Sequence, residues 1–240
     1  MQNNLTDRAL WAEYWSNYQY EKVPHKTVYD KYIPSLKGCE SFIEIGGFPG
    51  INAAYFYKNV CKDVTLLDFY VDKAIVSKFE HINQMPENSI KCIESDFFIF
   101  NGERTYDIVF SLGFIEHFDD IRDVIFRHIN LLSEKGNLLI VLPNMRGLNG
   151  IIQWLFDRKN FSIHNLESMK IKKLKDIMLE SGLSCCKVEY TRKPIVWLEP
   201  KPGFLNAIGR ILIKGLSYLI KLFPVKGRFL SPFIIISARK

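Results

Sequence analysis

Residues 41–50, SFIEIGGFPG, constrain this chain more than any other stretch. Phe42, Ile43 and Ile45 form a short apolar run broken by Glu44, and Gly46, Gly47, Pro49 and Gly50 follow at once. An apolar run that ends in glycines and opens into a helix-like segment (51–60) predicts strand, tight turn and helix. Glycines there adopt angles closed to other residues and let the backbone approach a ligand. The helix start behind them offers unpaired N–H groups to the negative end of that ligand.

The same alternation runs on. Residues 64–67 read as a second buried strand ending at Asp68, and 71–82 as a helix. A third strand at 89–94 leads into Asp96, Phe97 and Phe98. Residues 106–112 are nearly all apolar, as in the middle of a parallel sheet. A helix pattern at 118–132, a turn at 134–136 and a fifth strand at 137–143 follow. A helix at 166–181 is closed by Gly182, a sixth strand spans 184–191, and the terminal SPFIIISARK supplies a seventh. This order predicts an α/β sheet with right-handed crossovers. The expected organisation is one domain, 1–240, with an aromatic helical lid over 1–38 and insertions at 144–165, read as irregular, and 193–230. In the lid segment Trp11, Trp15 and Tyr18 fall at helical spacing. They either pack on the main domain or cover a bound ligand.

Composition supports a globular chain, with 48% hydrophobic and 24% charged residues. The net charge of +6 permits an acidic partner without demanding one. Cysteines 39, 61, 92, 185 and 186 form no metal-ligand pattern, which fits reduced thiols in a cytoplasm. No metal is expected. The first ten residues lack the apolar core of a signal peptide, and no run of about 20 residues is free of charge.

Three classes of ligand use a glycine turn of this kind. A Walker loop needs Gly-Lys-Ser/Thr, which is absent. A dinucleotide site needs G-x-G-x-x-G under a pyrophosphate, and these glycines are spaced differently. Glu44 just ahead of the turn would repel a pyrophosphate and attract an ammonium. S-adenosylmethionine presents an ammonium and a carboxylate at that end, the latter for backbone N–H groups of Gly46, Gly47, Phe48 and Gly50. Asp68, with Phe69 beside it, is placed for two ribose hydroxyls, since an ionised carboxylate accepts from a diol. Dinucleotide folds use an acid there too. Asp96 can accept from an adenine amino group, and Phe97 can cover the ring.

The run EIGGFPG, Asp68, the Ser95-Asp96-Phe97 step, YDIVFSLGFIEHF and the later LPN together resemble the class I S-adenosylmethionine-dependent methyltransferases, in their small-molecule and glycan-modifying branch. The family pattern acid-x-Gly-x-Gly-x-Gly has Phe48 in place of its middle glycine here. The resemblance implies a Rossmann-like doubly wound sheet of order 3-2-1-4-5-7-6 with strand seven antiparallel. It also implies S-adenosyl-L-methionine as cofactor, with Leu112 and Gly113 among the residues that bind it, and methyl transfer, most simply to oxygen, on a small molecule, glycan or lipid-linked intermediate. A Rossmann-like scaffold without catalysis, or a membrane-docked binding protein, is the alternative.

A hydroxyl acceptor must lose a proton, so a base helps. His117 follows the fourth strand at the ligand-binding edge and is one candidate, with ordering of its loop as the other role. His164, in the insertion after the fifth strand, is a second candidate base or substrate contact, against an ordinary surface histidine. Asn144 and Arg146 in the same insertion, and Trp15 in the lid, are candidate substrate contacts. Nucleic acid is not expected, because basic residues are not gathered with aromatics on one face. Within 204–223, Arg210, Lys214, Ser217 and Lys221 form one helical stripe among apolar residues. That segment is buried against the sheet or a second copy of the chain, exposing only the stripe, or lies in a membrane interface.

Overall fold

The structure, a computed structural model, describes residues 8–16, 18, 20–102, 104–191, 194–198, 204–222 and 226–240. Parts of the lid segment and of the 193–230 insertion lie outside these residues.

Seven strands form one sheet: β1 (Ser41–Ile45), β2 (Asp63–Asp68), β3 (Ile90–Glu94), β4 (Tyr106–Leu112), β5 (Leu132–Pro143), β6 (Ser184–Tyr190) and β7 (Phe233–Arg239). Their order is β3-β2-β1-β4-β5-β7-β6. The first five run parallel, and β7 lies antiparallel between β5 and β6. Alternation along the strands splits the core in two. Ile43, Ile45, Val109, Ile140 and Ile236 belong to one layer, and Phe42, Phe110, Val141 and Ile235 to the other. These strands read as continuous apolar runs because helices cover both faces.

On the Phe42 side lie α2 (Ile51–Asn59) and α3 (Lys73–Ile82), whose Phe56 and Phe79 join that layer. On the Ile43 side lie α4 (Ile121–Asn130) and α7 (Ile171–Glu180), with Val124, Ile125, Leu174 and Met178. Asp72 and Asp120 stand at the N-caps of α3 and α4, each accepting two backbone N–H groups. An N-terminal helix, α1 (Arg8–Ser16), carries no buried residue.

Three local expectations are corrected. Residues 134–136 do not turn the chain; they form an irregularity inside β5, where Lys135 has φ +65° and the pairing to β4 shifts. The helix expected at 166–181 is a short 3-10 turn (Leu166–Met169) followed by α7. The insertion 144–165 holds two helices, α5 (Leu148–Phe156) and α6 (Arg158–Ser162). Gly150 reads as a helix breaker, yet it is required: a Cβ there would stand 1.7 Å from the Met145 carbonyl oxygen.

The last helix, α8 (Phe204–Ile220), is not buried against the sheet, one of the arrangements expected for it. Only a narrow face with Ile213 and Ser217 packs, against Ile152, Val196 and Leu198. Ile211, Leu212, Tyr218 and Leu219 are each at least 61% exposed. No helix among the described residues is long and apolar enough to cross a membrane.

Candidate active site

The carboxyl ends of β1, β2, β3 and β4 open into a cleft of about 700 Å³. Each strand contributes its last residue or the loop behind it: Gly46, Asp68 and Phe69, Asp96 and Phe97, Gly113 and Phe114. Trp11 and Trp15 of α1 line the same cleft. Trp11 sits edge-to-face on His117 with ring centres 5.5 Å apart, and Trp15 on Phe48 at 5.4 Å. Arg8 pairs with Glu94 at the end of β3 and lies over the Tyr70 ring. The lid segment therefore reaches the ligand side of the sheet.

Asp68 ends β2 and is half-buried, with Oδ2 accepting from the Phe48 N–H (2.9 Å) and Oδ1 from the Tyr70 N–H (3.1 Å). Burial pushes its carboxyl up to about 6, against the pull of those N–H donors. Each oxygen keeps a lone pair for a further donor. Asp96 uses Oδ1 to accept the Phe98 N–H (2.9 Å), which fixes the turn after β3. Gly46 (φ +66°) and Gly113 (φ +73°) give the floor bare backbone. A Cβ on Gly46 would fall 2.1 Å from the Phe114 ring. The carboxylates, open backbone and aromatic walls fit a nucleoside with an amino-acid tail.

Glu44 is not on the cleft wall. It shares the Phe42 face of β1, is fully buried, and points at the start of α2. Its Oε2 accepts the Ala53 N–H (2.8 Å) and its Oε1 accepts from Asn52 Nδ2 (2.7 Å). Gly50, the N-cap, provides no side-chain acceptor, so Glu44 serves the orphan N–H from a neighbouring strand. Burial pushes its carboxyl up to about 8. Both oxygens are thus engaged at the start of α2, so Glu44 meets the cleft through the glycine loop and not by direct contact with it. Gly47 is required for this arrangement, since its Cβ would stand 2.0 Å from Glu44 Cδ. Phe48, the departure from the family pattern, buries its ring between Trp15 and Tyr70 and gives only its N–H, to Asp68. Gly50 (φ +100°) and Leu112 shape the loops and do not line the cleft.

Asn144 and Arg146 do not line it either. Asn144 is fully buried, and its Nδ2 donates to the carbonyls of Arg228 and Ser231, both at 2.7 Å. It ties the loop after β5 to the entrance of β7. The Arg146 carbonyl accepts from Arg228 Nε at 3.4 Å.

His117 does line the cleft, and His164 stands beside it with ring centres 4.9 Å apart. Nδ1 of His117 donates to the Ile163 carbonyl (2.9 Å), and Nδ1 of His164 to the Asn160 carbonyl (2.7 Å). Asn165 clips the two loops together, its N–H on the Glu116 carbonyl (2.7 Å) and its Nδ2 on the Phe118 carbonyl (2.8 Å). Burial, helped by His164, lowers His117 to about 4; burial also lowers His164. Both rings are neutral at physiological pH.

Two residues of the site carried no assigned role in the sequence. Glu116 is 1% exposed, and neither of its carboxyl oxygens has a hydrogen-bond partner among the described residues. His128 is fully buried behind Phe97, with Nδ1 on the Val124 carbonyl (2.8 Å) and Nε2 on Ser111 Oγ (3.1 Å). Its position on the inner face of α4 could have been read from the periodicity.

Similarity to known proteins agrees with this geometry. Among solved structures, an S-adenosylmethionine-dependent methyltransferase from Archaeoglobus fulgidus aligns over 98% of this chain and 100% of that one, at 18% identity and TM-score 0.56. Phosphoethanolamine N-methyltransferase 2 from Haemonchus contortus, in complex with S-adenosyl-L-methionine, aligns over 99% of this chain and 58% of that one, at 14% identity and TM-score 0.61. A methyltransferase from Thermotoga maritima, described as a possible histamine N-methyltransferase, aligns over 88% and 86%, at 15% identity and TM-score 0.54. At these identities the likeness speaks for the fold. No curated protein matches the sequence. The family model described as "Methyltransferase domain" matches residues 14–188, well over half of the chain. With that match, the seven-stranded order and the cleft at the ends of β1 to β4, the chain belongs to the methyltransferase-domain family.

Proposed function

We propose that this chain transfers a methyl group from S-adenosylmethionine to an oxygen of a small molecule, a glycan or a lipid-linked intermediate. The observation that carries the reading is the pair of carboxylates Asp68 and Asp96, facing one cleft with the bare backbone of Gly46 and Gly113. When bound, S-adenosylmethionine supplies a methyl group on a positively charged sulfur. Asp68 accepts from the ribose diol, Asp96 from the adenine amino group, and the ring of Phe97 covers the base. Gly46 leaves room for the amino-acid tail.

Trp11, Trp15 and Phe114 exclude water from the space beside His117, and exclusion of water strengthens every polar contact inside it. Orienting an acceptor within the cleft contributes most of the rate in a displacement of this kind. His117, which lines this space, positions an acceptor hydroxyl there, with His164 beside it. The test is a mass measurement on an acceptor pool from the native cell, incubated with the protein and the cofactor. A gain of about one methyl group is expected on an oxygen. A gain on nitrogen, as the names of two structural neighbours describe for those proteins, overturns the oxygen assignment. No gain on any component contradicts the transfer itself.

The outward face of α8 and the exposed Trp154, Leu155 and Phe156 of α5 support docking on a membrane surface from the cytoplasmic side. Arg210 and Lys214 flank the apolar face, as in helices that lie in an anionic interface. Flotation with vesicles containing phosphatidylserine is expected to carry the native chain. It should lose most of a Lys214→Glu, Lys221→Glu variant, at about 1 kcal/mol for each cation near the surface. Equal flotation of the two contradicts docking. A dimer in solution that covers this face would assign it to a second copy instead.

A further inference from the structure

Glu116, His117 and His164 each offer a ligand atom, and those three atoms lie within 4.8 Å of one another. Glu116 and His117 are buried, and His164 is partly so. From these residues we infer a binding site for a divalent transition-metal cation on the acceptor side of the cleft.

Several independent features point to it. The Glu116 carboxyl is closed off from solvent and neither oxygen has a partner among the described residues, an arrangement that is unfavourable unless a ligand satisfies it. It lies against the cleft floor, with Oε1 3.6 Å from where a Gly113 Cβ would stand. Each imidazole donates Nδ1–H to a backbone carbonyl, Ile163 for His117 and Asn160 for His164. That bond fixes the tautomer and leaves Nε2 with the lone pair, the arrangement that metal-ligating histidines share. Asn165 locks the loop carrying His164 onto the loop carrying Glu116 and His117.

Two imidazoles and one carboxylate suit Zn²⁺, Mn²⁺ or Fe²⁺ better than the all-oxygen set preferred by Ca²⁺ or Mg²⁺. Metal–nitrogen distances of about 2.0–2.1 Å place tetrahedral ligands roughly 3.4 Å apart, so the three side chains close in by about 1.4 Å or less. Three protein ligands leave at least one position open, as in catalytic rather than structural sites. The assignment rests on the methyl-transfer reading and deepens it. A hydroxyl acceptor has to lose its proton on methyl transfer. A cation beside it lowers the pKa of a hydroxyl bound at the open position, and the proton leaves to solvent. The acceptor class is then one with a hydroxyl that reaches the cation.

The test uses Co²⁺ as a spectroscopic probe on the full chain, with elemental analysis of the protein as purified. One equivalent of Co²⁺ is expected, with visible absorption bands of a nitrogen- and oxygen-ligated ion. Glu116→Gln and His164→Asn should each weaken it by more than the roughly 10- to 100-fold that loss of an outer partner costs. Binding of S-adenosylhomocysteine, measured on the same samples, should change about twofold or less, since Glu116 packs behind Gly113 and neither it nor His164 is among the residues that line the cofactor cleft. That arm separates failure of the metal site from failure of the cofactor assignment. If Glu116→Gln does not fold, His164→Asn on its loop carries the test alone. Absence of Co²⁺, Zn²⁺ and Mn²⁺ binding at millimolar concentration overturns the inference, as does equal affinity in native and variant proteins. Glu116 is then a buried acid that keeps its proton.

Discussion

Replacing Asp68 by Asn is expected to weaken binding of S-adenosylhomocysteine about 100-fold. A hydrogen bond to a charged acceptor contributes about 1.5–3 kcal/mol. Asn keeps one acceptor oxygen where Asp68 has two: that oxygen already accepts one of the Phe48 and Tyr70 N–H groups, and the amide NH2 is set against the other. Little remains for a diol, and the loss comes to about 3 kcal/mol, taking the two ribose contacts together. The pH dependence gives a second signature. Burial raises Asp68 to about 6 in the free protein, and the ligand is held by the ionised form. Below that pH the group must shed a proton to bind. Affinity should therefore be level above pH 6 and fall as pH drops through it, approaching tenfold per pH unit. Asp68→Asn should abolish this slope. Calorimetry at several pH values reads both effects, and an unchanged affinity in the variant contradicts the ribose role.

Gly47→Ala is expected to cost about 3 kcal/mol of stability, within the range for forcing atoms into a packed core. The added methyl lands on the Glu44 side chain, 2.2 Å from Oε1 as well as 2.0 Å from Cδ. Glu44 cannot yield freely, because Asn52 and the Ala53 N–H hold it at the start of α2. If it swings away, those donors are orphaned inside the core; if it stays, the turn must shift. Either route moves the loop that carries the Phe48 N–H to Asp68. A fall in Tm of roughly 6–12 °C should be seen for a domain of this length. Gly46→Ala is a useful contrast, since its methyl would meet the Phe114 ring in the cleft and should impair ligand binding as well as stability. A Tm for Gly47→Ala within a degree of native would show that Glu44 is not fixed as described.

Much of the fold was legible because the strands are buried on both faces and read as apolar runs ending in glycine or acid. Asp68 and Asp96 were legible for the same reason: Asp68 is the residue that ends β2, and Asp96 lies two residues past the end of β3. Glu44 was misread although the warning was present. Two-residue alternation puts it on the Phe42 face with α2, while Ile45 on the other face borders the cleft. Its charge suggested a ligand, and its direction assigns it to a helix start. Asn144 could not be placed from sequence, because its partners are the carbonyls of Arg228 and Ser231, brought together only by β7. His117 and His164 were each noticed but not joined, since their meeting depends on how the insertion after β5 folds back over the loop after β4. The apolar segment 204–222 was read as amphipathic, but which face turns outward is decided by the packing of Ile213 and Ser217.

The central claim is that the cleft at the ends of β1 to β4 holds S-adenosylmethionine. Calorimetric titration of the native chain with S-adenosylmethionine and with S-adenosylhomocysteine tests it most directly. The structure predicts a single saturable site for each, of micromolar affinity above neutral pH and weakening below pH 6. No heat from either ligand at millimolar concentration would contradict it.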